Sequence, residues 1–125
     1  MLKVPYIFIC EGIKVDKADF SPSNIFDRRI ILKSPTFLEN ISLVIGLIGD
    51  KDDDQKEFTV KIRGKIFNAS LPPLKYEFKG YDEITIFQGE IDKLPVSEDE
   101  TIYFEVFFNN KIISQYPVKI TLKEV

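Results

Sequence analysis

Apolar and polar residues alternate with a period of two along most of the chain, the spacing of half-buried strands rather than of helices. The clearest stretch is Thr101–Phe108, where Ile102, Phe104, Val106 and Phe108 alternate with Thr101, Tyr103, Glu105 and Phe107. Glu57–Ile62 sends Phe58, Val60 and Ile62 to one side and Thr59 and Lys61 to the other. Ile41–Ile48 is apolar on both faces, with Ile41, Leu43, Ile45 and Leu47 set against Val44 and Ile48, and this predicts a central strand. Shorter runs predict strands over Val4–Cys10, Ile25–Lys33, Leu74–Phe78, Glu83–Gln88, Lys111–Tyr116 and Val118–Lys123.

Turn chemistry separates these runs. Asn109-Asn110 lies between two apolar stretches, and because Asn tolerates positive φ, the pair predicts a two-residue hairpin loop. Ser34-Pro35 closes one strand and Lys79-Gly80-Tyr81-Asp82 separates two others. Pro117 has no N–H to give a ladder, which predicts a bulge or a sheet edge there. The only helical expectation is a turn near Asp16–Asn24 or Thr36–Asn40. Short strands with turns between them and no helical period indicate an all-β, antiparallel, two-sheet immunoglobulin-like sandwich of about 7–9 strands. Residues 1–125 make one domain, since no linker or repeat divides them.

Composition sharpens this picture without changing it. Ile, Val, Phe, Tyr and Thr dominate and Ala is nearly absent, a mix suited to pleated surfaces. The lone cysteine, Cys10, excludes an internal disulfide, and its place in the run Tyr6-Ile7-Phe8-Ile9-Cys10 predicts burial. Met1–Pro5 has no secretory pattern and no run approaches the roughly 20 apolar residues of a membrane helix, so the expected location is cytoplasmic, without a membrane partner. A net charge of -3, with acids and bases interspersed, gives no general attraction to nucleic acid.

Several constellations bear on chemistry. The absence of histidine excludes Ser-His-Asp and Cys-His catalysis and His-ligated zinc, and one cysteine excludes a cysteine-cluster metal site. The glycines form no phosphate-binding loop. Asp50, Asp52, Asp53 and Asp54 crowd the loop after Ile48; calcium takes about six to eight oxygens, so the Asp50–Asp54 loop is a candidate ion site. It has no central glycine of the EF-hand kind, and the competing reading is a solvated loop whose charge discourages sheet association. Glu98-Asp99-Glu100 reads as a solvated turn. Arg28, Arg29 and Lys33 on one strand and Lys61, Arg63 and Lys65 on another would make a basic face if adjacent, interleaved with Phe26 or Tyr76. As solvent-facing positions of alternating strands they must be polar in any case. The expectation is a non-enzymatic module with no catalytic, cofactor-binding or metal residues and no cofactor.

Three stretches stand together: Cys10-Glu11-Gly12-Ile13-Lys14-Val15-Asp16; Asn24-Ile25-Phe26-Asp27-Arg28-Arg29-Ile30; and Tyr103–Lys111 closing with Pro117-Val118-Lys119-Ile120. Their order resembles a family of small uncharacterised bacterial proteins with an immunoglobulin-like β-sandwich, in which an "I/V-F-D-R-I"-like second strand precedes a final hairpin. The acidic run Glu98–Glu100 stands where that family usually places a glycine. The resemblance implies the sandwich and brings no activity with it.

The last oddity is aromatic. Thr101–Phe108 has apolar or aromatic side chains at six of its eight positions, more than a strand with one wet face needs. Tyr103 and Phe107, with residues near Ile113 on the returning strand, are therefore the expected surface for a protein partner or a second copy in a homodimer.

Overall fold

A computed structural model describes residues 2–16, 19–32, 37–50 and 57–124. Ten strands follow in order: β1 (Lys3–Asp16), β2 (Asp19–Phe26), β3 (Arg28–Leu32), β4 (Phe37–Gly49), β5 (Glu57–Arg63), β6 (Asn68–Ser70), β7 (Leu74–Lys75), β8 (Gly80–Pro95), β9 (Glu100–Phe108) and β10 (Lys111–Lys123). They form two sheets. The first has the order β2-β1-β4-β8; the second runs β3-β10-β9-β5-β6, with β7 also paired to β5.

The inner faces follow the alternation. Ile41, Leu43, Ile45 and Leu47 of β4 meet Phe58, Val60 and Ile62 of β5 and Ile102, Phe104, Val106 and Phe108 of β9 in one core. A group of rings closes one side of it. Phe58 meets Phe87 edge-on at 5.7 Å and Tyr76 at 5.9 Å, and Tyr76 stacks on Phe78 at 6.4 Å. Tyr76 Oη donates to the carbonyl of Ile86 at 2.7 Å, which ties this segment to the edge of the first sheet.

Several expectations need correction. Asp16–Asn24 holds no helical turn in its described part; it runs from the end of β1 into β2, an edge strand on which Pro22 removes no needed donor. Thr36–Asn40 likewise enters β4 as strand from Phe37. Ile25–Lys33 is not one strand but two. The chain bends at Asp27, leaving β2 in the first sheet and starting β3 in the second. β3 then pairs with β10 in parallel, Arg28 beside Lys119 and Leu32 beside Lys123, so the sandwich is mixed rather than wholly antiparallel. The strand total also exceeds the expected 7–9.

Asn109 and Asn110 both take positive φ, 53° and 60°, as the hairpin reading requires. The bulge on the returning strand falls at Ile113, between Ile112 and Ser114, not at Pro117. Nor is β10 an edge. Lys119 N donates away from β9 to Asp27 O at 2.9 Å, and by strand alternation the nitrogen of Pro117 points the same way. Its missing donor therefore costs the β9–β10 ladder nothing.

Candidate functional site: the outer face of the second sheet

Because Ile102, Phe104 and Val106 point inward, Tyr103, Glu105 and Phe107 of β9 point outward. Register supplies their neighbours. Glu105 lies between Lys61 of β5 and Gln115 of β10, Tyr103 lies between Arg63 and Pro117, and Phe107 lies opposite Thr59 and Ile112.

These side chains lock together. The Arg63 guanidinium sits 4.4 Å from the centre of the Tyr103 ring, and Lys61 Nζ sits 4.5 Å from that of Phe107. Cations over ring faces are held by the ring quadrupole, at about 0.5–1 kcal/mol each on a surface. Glu105 is buried under this cover. Its Oε1 lies 3.4 Å from Arg63 Nε, and Gln115 Nε2 donates to its Oε2 at 2.8 Å. Tyr103 and Phe107 are consequently half-buried rather than bare. Ile113 is not on this face at all: the two-residue turn sets Ile112, 47% exposed, beside Phe107, and alternation then sends Ile113 toward the core. The bulge acts on the residues after it, shifting the register by one so that Gln115 stands opposite Glu105.

The face continues across β10 to β3. Arg28, Ile30 and Leu32 stand beside Lys119, Thr121 and Lys123, and Ile30 and Leu32 are 67% and 51% exposed. β3 ends the sheet, so its other edge has no strand partner among the described residues. This is what sequence reasoning missed. Its signal was the apolar run Ile30-Ile31-Leu32, of which alternation buries only Ile31.

The remaining candidates resolve differently. Arg28 and Arg29 are separated from Lys61 and Arg63 by the whole width of β10 and β9, so the two basic clusters do not form one surface. Tyr76 lies among the core rings, and Phe26 is covered by Arg29, whose guanidinium is 3.8 Å from its centre. Of the three acids, Glu98 and Asp99 form an exposed bend, as the sequence predicts, and only Glu100 departs from that reading, as the buried first residue of β9. Asp99 Oδ1 accepts from Leu122 N at 2.8 Å, and buried Glu100 accepts from Lys65 N at 2.9 Å. Glu98, also at the surface, lies 3.1 Å from Lys65 Nζ. Asp52, Asp53 and Asp54 lie outside the described residues, and no group of three or more metal-ligating side chains occurs among the described ones, so the calcium reading of this loop rests on sequence alone. Cys10 is buried as expected, and burial pushes its thiol up from its ordinary pKa, which suppresses the reactive thiolate.

An open cleft of about 850 Å³ borders the same face, between β5, the stretch after β6 and the Asn109-Asn110 turn. Ligand pockets bury most of a small molecule within apolar walls. This cleft is open and polar, with Lys75 Nζ 3.9 Å from Glu57, and holds nothing that would enclose one.

At the bend between the sheets, Glu11 accepts from Asn24 Nδ2 at 2.8 Å and from Arg29 at 2.9 Å. The Asn24 and Arg29 hydrogen bonds hold its carboxyl below the usual value. A depressed carboxylate stabilises the fold above its unfolded pKa and loses that contribution as pH falls through the folded one. Wild type should therefore be more stable than Glu11→Gln at neutral pH, with the gap closing below about pH 4. Melting temperatures of both proteins across pH check this; a gap that is constant with pH refutes the role of the charge.

No helix among the described residues is long and apolar enough to cross a membrane. Comparison in sequence with known protein families and with curated proteins finds no match.

Proposed function

We propose that this chain is a non-enzymatic interaction module that binds a protein partner or a copy of itself through the outer face of its second sheet. The observation that supports the reading is the open edge strand β3, which presents Ile30 and Leu32 to solvent beside a face containing Tyr103, Phe107, Ile112 and Pro117. Edge strands with exposed apolar side chains are the usual sites of strand addition, and natural proteins otherwise shield them. The non-enzymatic part rests on side-chain chemistry: there is no histidine, and the one thiol is buried.

The immunoglobulin-like assignment belongs to the same proposal. The order β10-β9-β5-β6 corresponds to the G-F-C-C′ order of that fold, and β9–β10 supplies the final hairpin. The likeness to the family of small bacterial sandwich proteins rests on the same hairpin and on the Ile25–Ile30 motif. β1, inserted between β2 and β4, is a departure.

In an extract of its native cell the chain should elute well above its 14.5 kDa monomer mass. Ile30→Glu with Leu32→Glu should return it to monomer mass with an unchanged β spectrum, and Tyr103→Ser with Phe107→Ser should weaken the complex from the centre of the face. A wild-type chain that runs as a monomer in that extract overturns the reading.

A further inference from the structure

We infer that the partner edge for β3 is the acidic edge of β8 in a second copy, so that molecules join head to tail. The inference rests on the reading of β3 as an interaction edge and specifies its occupant. β8 ends one side of the first sheet and β3 one side of the second, so among the described residues both strands have an open edge, with Glu90 and Asp92 on the one and Arg28 and Arg29 on the other. On β3 the outward row is Arg28, Ile30 and Leu32; the Arg28 side chain is 82% exposed, with its Nε 3.3 Å from the likewise exposed carboxylate of Asp27, a solvent-screened pair that leaves the guanidinium accessible. On β8, Gln88 and Glu90 register with Val44 and Ser42, opposite in sense to inward-facing Phe87 and Ile91. Asp92, two residues on, is exposed like Glu90, and the outward row ends there because Leu94 turns into the core. Among the described residues neither acid has an ion-pair partner.

The two rows are complementary. An antiparallel alignment that sets Arg28 opposite Glu90 leaves Asp92 on the diagonal and brings Leu32 opposite Ile86. Opposite charges facing each other across a strand pair are favourable, and diagonal neighbours remain within reach of long side chains. The Tyr76 hydroxyl bonded to Ile86 O marks where the open stretch of β8 ends. A symmetric β3–β3 pairing is disfavoured by the same bookkeeping, because it places two Arg28-Arg29 pairs in one interface. Because the contact joins different surfaces, it repeats from molecule to molecule and builds rings or open chains rather than a two-fold dimer. Five residues of β3 make a small interface, so association is weak and sensitive to salt.

Sedimentation equilibrium of the purified full chain tests this. The wild-type mass should rise steadily with concentration above 14.5 kDa and fall back in about 1 M salt, where screening acts within about 3 Å. Arg28→Glu alone and Glu90→Lys alone should each abolish the rise, and the double variant Arg28→Glu/Glu90→Lys should restore it by reversing the pair. Circular dichroism confirms that each variant is folded, as expected for exposed positions. A wild type that stays monomeric at millimolar concentration overturns the inference; so does a Glu90→Lys protein that associates normally, or a double variant that does not recover. If the purified chain is monomeric while the native extract holds a heavier complex, only this inference fails and the partner-binding reading stands.

Discussion

Phe58→Ala should lower the melting temperature by roughly 10–20 °C, more than any surface change. Phe58 is 1% exposed and joins the two sheets, its ring in contact with Phe87 of β8 and with Tyr76. Truncating a buried phenylalanine removes its transfer free energy and leaves a cavity, about 3–5 kcal/mol together. For a domain of this size each kcal/mol shifts the midpoint by about 4 °C. Total stability for such a domain is on the order of 5–15 kcal/mol, so the loss is a large share of it. Phe107→Ala is the internal control. Its ring is half-buried beneath Lys61 and contacts no second sheet, so its effect should be markedly smaller. Thermal melts by circular dichroism read both. A Phe58→Ala loss below about 4 °C would mean that the rings re-pack around the gap.

The parts of this fold legible in the sequence are those where one face is wet and the other dry. β5 and β9 alternate strictly because their outward residues meet solvent or a thin cover of long polar side chains. β4 read as central for the opposite reason, being apolar on both faces, and Val44 is indeed fully buried on the side away from the core. Where a strand is an edge or changes sheets, the pattern fails. β2 carries Pro22 and three polar residues from Ser21 to Asn24, which on an edge cost little and in sequence look like a loop. Asp27 separates two strands with no glycine or proline to mark the bend; what fixes it is distant, the Tyr116 hydroxyl on Phe26 O and Lys119 N on Asp27 O. The candidate face was half legible for the same reason. Tyr103 and Phe107 follow from alternation, whereas Ile30 and Leu32 depend on a parallel pairing to β10 between residues some 90 positions apart. No local pattern encodes that.

Two glycines of β4 take the same substitution with opposite expected severity, and the contrast isolates what packing rigidity costs. At Gly46 an added Cβ would stand 2.5 Å from Tyr6 Cζ, and at Gly49 it would stand 2.8 Å from Phe78 Cγ. By distance alone Gly46→Ala is the worse clash. The atoms it meets, however, are the far end of a ring that lies on the outer face, stacked on Phe8 at 5.9 Å and only half-buried. Tyr6 can swing outward. Phe78 is 4% exposed and stacked on Tyr76, and the atom in the way is the one that joins the ring to its stem. Relief there needs the backbone or several rings to move, and overpacking of this kind costs about 1–3 kcal/mol. Gly49→Ala should therefore lose about 4–12 °C in melting temperature and Gly46→Ala much less. A second reading comes from Tyr6 itself. Burial raises its phenol pKa, so a ring displaced by Gly46→Ala should titrate nearer the ordinary value of about 10. Ultraviolet absorbance through an alkaline titration follows the tyrosinate directly. If Gly46→Ala is the more destabilised variant and the tyrosine titration is unchanged, Tyr6 is fixed in place and the outer face of the first sheet is as rigid as the core.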